Sequence, residues 1–198
     1  SFNAGDNTAE SFLRLNRAES VDEALAALED FSSPPQNVTL ADRHGNIDLL
    51  LAGRIPERRT GNGFMPANGA TGSEDWIGWV DRDRLPFLYN PESGMVVQAN
   101  ERLLFRDPTL SVGQEFEVPF RAERIRERLQ AARSDATAEA QADLQMDNLS
   151  PEVPGTVALI LTHLGLETLT DPERAIVERL RQWDGDMRRD RIEPLVYT

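Results

Sequence analysis

The order of hydrophobic periodicities along the 198-residue chain constrains its fold more than any other feature. Residues 1–35 carry apolar side chains at helical spacing, and Ser20 with Glu23 forms a capping box at a helix start. Residues 36–100 contain short aliphatic runs between turns rich in Gly and Asn, and residues 101–198 return to helical spacing. Helices, then strands, then helices are typical of the α+β fold class.

The middle third predicts a small sheet. The runs 37–41 and 47–51 flank a turn that contains Gly45, which predicts an antiparallel hairpin. The stretch 53–75 is rich in Gly, Asn and Pro and predicts a long loop, while Met95–Gln98 predicts a third strand that ends beside Asn100. Three strands are few for this length, so we expect the sheet to be incomplete.

The last third predicts mainly helices. Helical patterns cover 121–133, 137–148, a segment from 150 onward, and 170–183. Asp184-Gly-Asp186 resembles the start of a calcium loop but lacks the later Gly and the closing Glu. We therefore interpret it as the end of the last helix, with Gly185 as the cap.

Composition excludes several kinds of chemistry. There is no Cys, so disulfides, thiolate metal sites and a cysteine nucleophile are excluded, and all 21 basic residues are Arg, which excludes a lysine Schiff base. The 34 acidic residues give a net charge of −13, so we expect neither nucleic acid nor a membrane as a partner. No apolar run approaches the roughly 20 residues of a transmembrane helix.

Histidine chemistry is also disfavoured. His44 and His163 are the only two histidines, and neither has a companion at the spacing of zinc ligands. A Ser-His-Asp triad would have to use one of them. Composition and spacing alone therefore lead no further than an acidic α+β chain.

Several phrases along the chain carry a more specific signal. In the middle are Gln36-Asn-Val-Thr-Leu-Ala-Asp-Arg-His-Gly-Asn-Ile47, Asp75-Trp-Ile-Gly78 and Tyr89-Asn-Pro-Glu-Ser-Gly-Met-Val-Val-Gln-Ala-Asn100. Further along are Phe120-Arg-Ala-Glu-Arg-Ile125, Gln145-Met-Asp147 with Ser150, and Leu180-x-x-Trp183-Asp-Gly185. Read together and in this order, they resemble the penicillin acylase family of N-terminal-nucleophile hydrolases over nearly the whole chain.

The resemblance implies a fold and a chemistry. The fold would be part of the αββα sandwich of these hydrolases, with helices flanking a short antiparallel sheet. The chemistry would be hydrolysis of linear acyl–amine amide bonds by an N-terminal serine whose own α-amino group is the base. An α-amino group has a pKa of about 8, so it can act as a base near neutral pH, and such an enzyme needs no histidine.

Three residues take roles from the resemblance. Asn100 matches the asparagine that donates to the oxyanion, and Arg124 matches the arginine beside the nucleophile. Gln36 falls where the family places a side chain of the acyl pocket, and its polarity departs from the apolar residue that suits a phenylacetyl group. These assignments are expectations drawn from the family.

The N-terminus departs from the family pattern. Ser1-Phe-Asn-Ala-Gly-Asp6 resembles the approach to a helix that begins after Asn7, and not the strand that carries the nucleophile. The resemblance therefore implies that residues 1–198 are a single internal segment of a larger β chain from which the nucleophile is absent. Two alternatives stay open: a non-catalytic binding or structural module on this scaffold, and a shortened enzyme with Ser1 as nucleophile.

The resemblance also implies partners and a location. The partners would be the remaining parts of the α and β chains of the same precursor and a small acylated-amine substrate. Exposed strand edges would favour self-association. No cofactor is expected in this segment, calcium would belong to the full-length protein, and the location would be periplasmic or secreted.

Overall fold

The computed structural model describes residues 6–103, 107, 109–110, 112–133 and 136–197. The chain forms two compact units, Ser1–Glu117 and Val118–Thr198. The first combines two helices with two small sheets, and the second is helical. The predicted α+β fold class is therefore confirmed.

The first unit contains all five strands found in the described part of the chain. Its helices are α1 (Thr8–Leu15) and α2 (Val21–Ala27), followed by a 3₁₀ turn at Leu28–Asp30. Its strands are β1 (Gln36–Ala41), β2 (Ile47–Ala52), β3 (Pro56–Arg58), β4 (Trp76–Trp79) and β5 (Phe87–Tyr89). They form one antiparallel sheet in the order β1-β2-β5 and a second antiparallel pair, β3-β4.

The hairpin predicted at 37–51 is confirmed. β1 and β2 pair from Gln36↔Ala52 to Ala41↔Ile47. In the turn, Gly45 has a φ of +90°, which a glycine adopts without steric cost. The Asp42 side chain accepts the backbone N–H groups of His44 and Asn46 at 2.8 and 3.0 Å. These local hydrogen bonds close the turn.

The core of the first unit lies on both faces of β2. Because side chains alternate along a strand, Leu50 and Ala52 point to one face and Leu51 to the other. Leu50 and Ala52 pack with Leu28 and Phe31, which follow α2 in the chain. Leu51 packs with three apolar side chains from the loops and strand ends beyond it, namely Ile55, Val80 and Leu85.

The prediction of a strand at Met95–Gln98 is wrong. Those residues have irregular backbone, and the third strand of the main sheet is β5, which pairs with β2 from Leu50↔Phe87 to Asp48↔Tyr89. A strand exists only through hydrogen bonds to a neighbour, so β-branched residues such as Val96 do not produce one by themselves. Sequence periodicity also missed the short pair β3-β4, of which β3 lies inside the loop predicted at 53–75 and β4 directly follows it.

The second unit confirms the predicted helices. They are α3 (Phe120–Ala131), α4 (Ala138–Gln145), α5 (Val153–His163) and α6 (Asp171–Arg181). The unit also contains a short helix that was not predicted, α7 (Glu193–Tyr197), and a 3₁₀ turn at Leu166–Thr168. Val153, Val157 and Trp183 form its buried core. Among the described residues, no helix combines the length and apolarity needed to cross a bilayer.

Gly185 has a different role from the one predicted. Helix α6 ends at Arg181 with Gln182 as its cap, so the prediction that Gly185 caps the helix is wrong. The helix stops early because Trp183 turns into the core, where 3% of it is exposed and its indole N–H donates to the Asp186 carbonyl at 3.0 Å. Gly185, at a φ of +88°, belongs to the turn that follows.

Candidate functional site

Asn100 lies in a turn and not at a strand end. Its φ is +66°, in the left-handed region that Asn tolerates better than most residues. Its carbonyl accepts the Glu117 N–H at 3.0 Å, and its own N–H donates to the Gln98 side chain. Next to it, the Ala99 N–H donates to Glu101 at 2.7 Å. The backbone is therefore bonded on both sides of an exposed carboxamide.

Gln36 is exposed at the first position of β1, opposite Ala52. A groove of about 590 Å³ lies beside it, and its walls include Pro35, Ile55 and Phe64. The lining of this groove is mixed, because Arg58, Asn62, Gln114 and Glu115 also belong to its walls, and Gln36 is joined to it through the neighbouring Pro35.

Arg124 lies on α3 and forms a two-bond ion pair with Asp147. Its Nε and Nη2 donate to Oδ1 and Oδ2 of Asp147 at 3.1 and 2.7 Å. Its Nη1 donates to Glu127, one turn along the same helix, at 2.9 Å. The Arg124 and Asp147 side chains are 18% and 11% exposed, so water screens this pair only partly. The two parallel hydrogen bonds fix the plane of the guanidinium.

Asp147 receives further donors. The Leu149 N–H donates to its Oδ1 at 3.0 Å, and Arg128 Nε approaches its Oδ2 at 3.2 Å. The hydrogen bonds from Arg124, against an opposing desolvation cost, lower the pKa of Asp147 below its ordinary value. The same carboxylate raises the pKa of Arg124. Both groups are therefore charged throughout the neutral range.

The segment that carries Asp147 pairs with the Gly185 turn. Leu149 and Asp186 form an antiparallel bridge, and the Ser150 N–H donates to the Gly185 carbonyl at 3.0 Å. A Cβ at Gly185 would lie 2.4 Å from the Ser150 carbonyl oxygen, so only glycine allows this approach. An open groove of about 570 Å³ borders the cluster, with Arg124 and Asp147 in its wall.

The structure places the three predicted residues in separate local settings. Asn100 is in a turn, Gln36 at a strand start, and Arg124 on a helix of the second unit. Ser1, considered as an alternative nucleophile, lies outside the described residues. Within the described ranges, no group of three or more His, Asp or Glu side chains is arranged to bind a metal ion. Calcium binding by the full-length protein stays a prediction.

Sequence reasoning missed the partner of Arg124. Asp147 and Gly185 were recognised only as members of phrases in the right order, 23 and 61 residues beyond Arg124 in the numbering. The spacing within each phrase gives no indication that they meet. The phrase around Arg124 contains no turn residue, so no local signal in the sequence links it to the other two phrases.

A comparison with a family model decides the identity of the chain. The model described as penicillin amidase matches residues 2–198. The chain belongs to the penicillin amidase family. The family resemblance noted from the sequence is therefore confirmed.

Curated relatives of this penicillin amidase chain are much longer. Penicillin acylase 2 proenzyme of Pseudomonas sp. (strain SE83) is 31% identical over 182 residues, which cover 92% of this chain and 23% of that protein. Acyl-homoserine lactone acylase QuiP of Pseudomonas fluorescens is 29% identical over 203 residues, covering 97% and 25%. The chain thus spans about a quarter of the length of these relatives.

A solved structure shows the same fold. Thermostable penicillin G acylase from Alcaligenes faecalis matches with a TM-score of 0.68 at 19% identity, over 93% of this chain and 33% of that chain. This similarity shows that the penicillin amidase chain shares the α+β fold of the matching part of that structure.

Proposed function

We propose that this chain is a segment of the β chain of an acylase that hydrolyses linear amide bonds between an acyl group and an amine. The nucleophile would be an N-terminal serine on another part of the same protein. Membership of the penicillin amidase family over residues 2–198 supports this proposal. So do two relatives whose names state penicillin acylase and acyl-homoserine lactone acylase activity.

Asn100 is the proposed oxyanion donor, and its setting carries the proposal. An oxyanion donor must already be in place when negative charge develops, so that no reorganisation is needed at that moment. The carboxamide of Asn100 is exposed, while backbone hydrogen bonds from Glu117 and to Gln98 fix its main chain. A neutral amide N–H also donates at every working pH.

Arg124 and Gln36 have supporting roles in the proposal. Arg124 offers N–H donors beside the nucleophile, from a guanidinium that Asp147 orients. Gln36 would place a polar group at the acyl pocket, and the residue before it, Pro35, lines a groove with both polar and apolar walls. An acyl group with a polar atom near this wall fits such a pocket better than a phenylacetyl group does.

The proposed partners are the other parts of the same precursor, together with a small acylated amine. One relative is named a proenzyme, which supports a precursor that is processed into chains. The proposed location is the periplasm or the exterior of the cell. Within the described residues β1 is an edge strand of its sheet, and self-association through it stays a prediction.

Asn100→Ala in the full-length protein tests the proposal. We expect kcat for an acyl nitroanilide to fall about 10²- to 10³-fold, because one oxyanion donor is worth about 2.7–4 kcal/mol. KM should change little, since the lost bond forms only in the transition state. The matched control is Asn68→Ala, which removes an exposed asparagine of the same unit and should leave kcat unchanged.

Two outcomes would contradict the proposal. An unchanged kcat in Asn100→Ala would show that Asn100 is not the oxyanion donor. A full-length protein without amidase activity would favour the non-catalytic module. The 198-residue chain and its Ser1→Ala variant are assayed alongside. Turnover by the chain alone that Ser1→Ala abolishes would assign the nucleophile to Ser1.

A further inference from the structure

We propose that Asp147 is a positioning residue for Arg124, and that the turn at Gly185 holds Asp147 in place. This inference rests on the role proposed above for Arg124. Three segments of the sequence, around Arg124, Asp147 and Gly185, would then act together to orient the Arg124 guanidinium.

The first step is the geometry of the ion pair. The guanidinium is a rigid planar fork, and both arms of one edge are bonded to the two oxygens of Asp147. A single hydrogen bond leaves such a group free to rotate, whereas two parallel bonds fix its plane. The bond to Glu127 is a weaker restraint, because the Glu127 side chain is 66% exposed and long.

The second step is the fixation of Asp147 itself. Its Oδ1 accepts the Leu149 N–H as well as Arg124, and its Oδ2 is shared by Arg124 and Arg128. The antiparallel bridge to Asp186 then ties this segment to the Gly185 turn. The carboxylate therefore has little freedom to follow a moving guanidinium.

The third step is the fixation of the turn. Met187 N–H donates to the Asn148 carbonyl at 3.0 Å, and the Trp183 indole donates to the Asp186 carbonyl from within the core. The close approach of Gly185 to Ser150 leaves no room for a side chain. The turn is thus joined both to the core of the unit and to the segment that carries Asp147.

The N–H groups of Arg124 that Asp147 and Glu127 do not bind can serve as directional hydrogen-bond donors. Of its five N–H groups, three are used by Asp147 and Glu127, and the other two meet no acceptor within the part of the chain that the structure describes. Two carboxylates already offset its positive charge. Arg124 therefore acts by offering oriented N–H groups to an acceptor oxygen, and not as a net charge.

The orientation is measured first in the 198-residue chain, where no catalysis is required. Arginine Nε–H signals in ¹⁵N NMR report how fast each proton exchanges with water. We expect the Arg124 Nε–H to exchange at least about tenfold faster in Asp147→Asn than in wild type, because the bidentate bond is lost. Asp143→Asn is the matched control, since this exposed carboxylate lines the same groove and should leave the exchange rate unchanged.

The activity of the full-length protein is the second measurement. Asp147→Asn should lower kcat about 10²-fold, the cost of displacing a catalytic group by about 1 Å, while KM changes little. In an Arg124→Ala background the same substitution should have no further effect on kcat. Arg124→Lys should lose as much as Arg124→Ala, because an ammonium cannot form the fork. Asp147→Glu keeps the carboxylate and should recover part of the activity.

The NMR exchange rate and the activity together distinguish the positioning role of Asp147 from the role proposed for Arg124 in catalysis. Unchanged Nε–H exchange in Asp147→Asn, or additive losses in the double variant, overturns the positioning role. Faster exchange in Asp147→Asn with full activity in both Asp147→Asn and Arg124→Ala overturns the role of Arg124 and leaves its orientation by Asp147 in place. Thermal melting of each variant, with Asp147→Glu as the better-folded substitute, distinguishes these results from misfolding.

Discussion

A buried carboxylate in the central strand makes the stability of the first unit depend on pH. Asp48 lies in β2 between Leu40 of β1 and Tyr89 of β5, and strand alternation places it on the same face as Leu50. The residue is 0% exposed, and neither of its oxygens has a hydrogen-bond donor in the described part of the chain. Burial therefore raises the pKa of Asp48 from 3.8 to about 6.

The size and sign of the effect follow from this pKa. Since the folded state keeps the Asp48 proton to a higher pH than the unfolded state, the free energy of unfolding falls as pH rises from about 4 to about 6. At about 1.36 kcal/mol for each pH unit between the two pKa values, the loss is about 3 kcal/mol. Asp42 and Asp147, whose pKa values are lowered, stabilise the fold above pH 4 and lose this effect only in more acid solution.

Asp48→Asn isolates the effect of Asp48 ionisation on stability, because an amide resembles the protonated acid in size and cannot ionise. We expect Asp48→Asn to match wild type near pH 4 and to exceed its free energy of unfolding by about 3 kcal/mol at pH 7.5. Urea unfolding at a series of pH values, followed by circular dichroism, measures the difference. Asp81→Asn, which replaces an exposed carboxylate of the same unit, is the control and should show no such difference.

A wild-type free energy of unfolding that is flat or rises between pH 4 and 7.5, with no gain from Asp48→Asn, would show that ionisation of Asp48 does not destabilise the fold. That result would mean that the ionised carboxylate has a compensating partner in solution. A gain of equal size at both pH values would point instead to a packing effect of the amide.

Two further substitutions test the turn of the second unit by urea unfolding. Gly185→Ala should destabilise by at least about 2 kcal/mol, because it combines a positive φ with a 2.4 Å approach to the Ser150 carbonyl. Gly155→Ala, in a helix with open space around it, should instead stabilise by about 0.5–1 kcal/mol, and equal effects would contradict the steric argument. Trp183→Phe should cost about 1–3 kcal/mol by leaving the Asp186 carbonyl without its donor, and a neutral result would mean that water replaces the indole.

Local features of the fold were predictable from the sequence because their causes are local. The hairpin at 36–52 follows from two apolar runs and a turn in which Asp42 bonds the next residues. The start of α6 follows from Thr170, whose N–H donates to Glu173 at 2.7 Å. In each case, hydrogen bonds between residues within a few positions of one another provide the local signal.

Pairing between distant residues was not predictable in the same way. Val96 and its neighbours have strand-forming side chains, yet β5 occupies the edge of β2, and no local signal distinguishes these two candidates. Asp48 interrupts an apolar run, but only the folded structure, in which it is 0% exposed between two neighbouring strands, shows that it is buried.

The amino-acid order by itself determined the α+β class, the family, and the identity of Asn100, Arg124 and Gln36 as candidates. The tertiary structure alone decided that Arg124 meets Asp147 and that Gly185 supports this pair. The physical reason is that helix and turn propensities act over a few residues, whereas an ion pair 23 residues apart depends on how the chain packs.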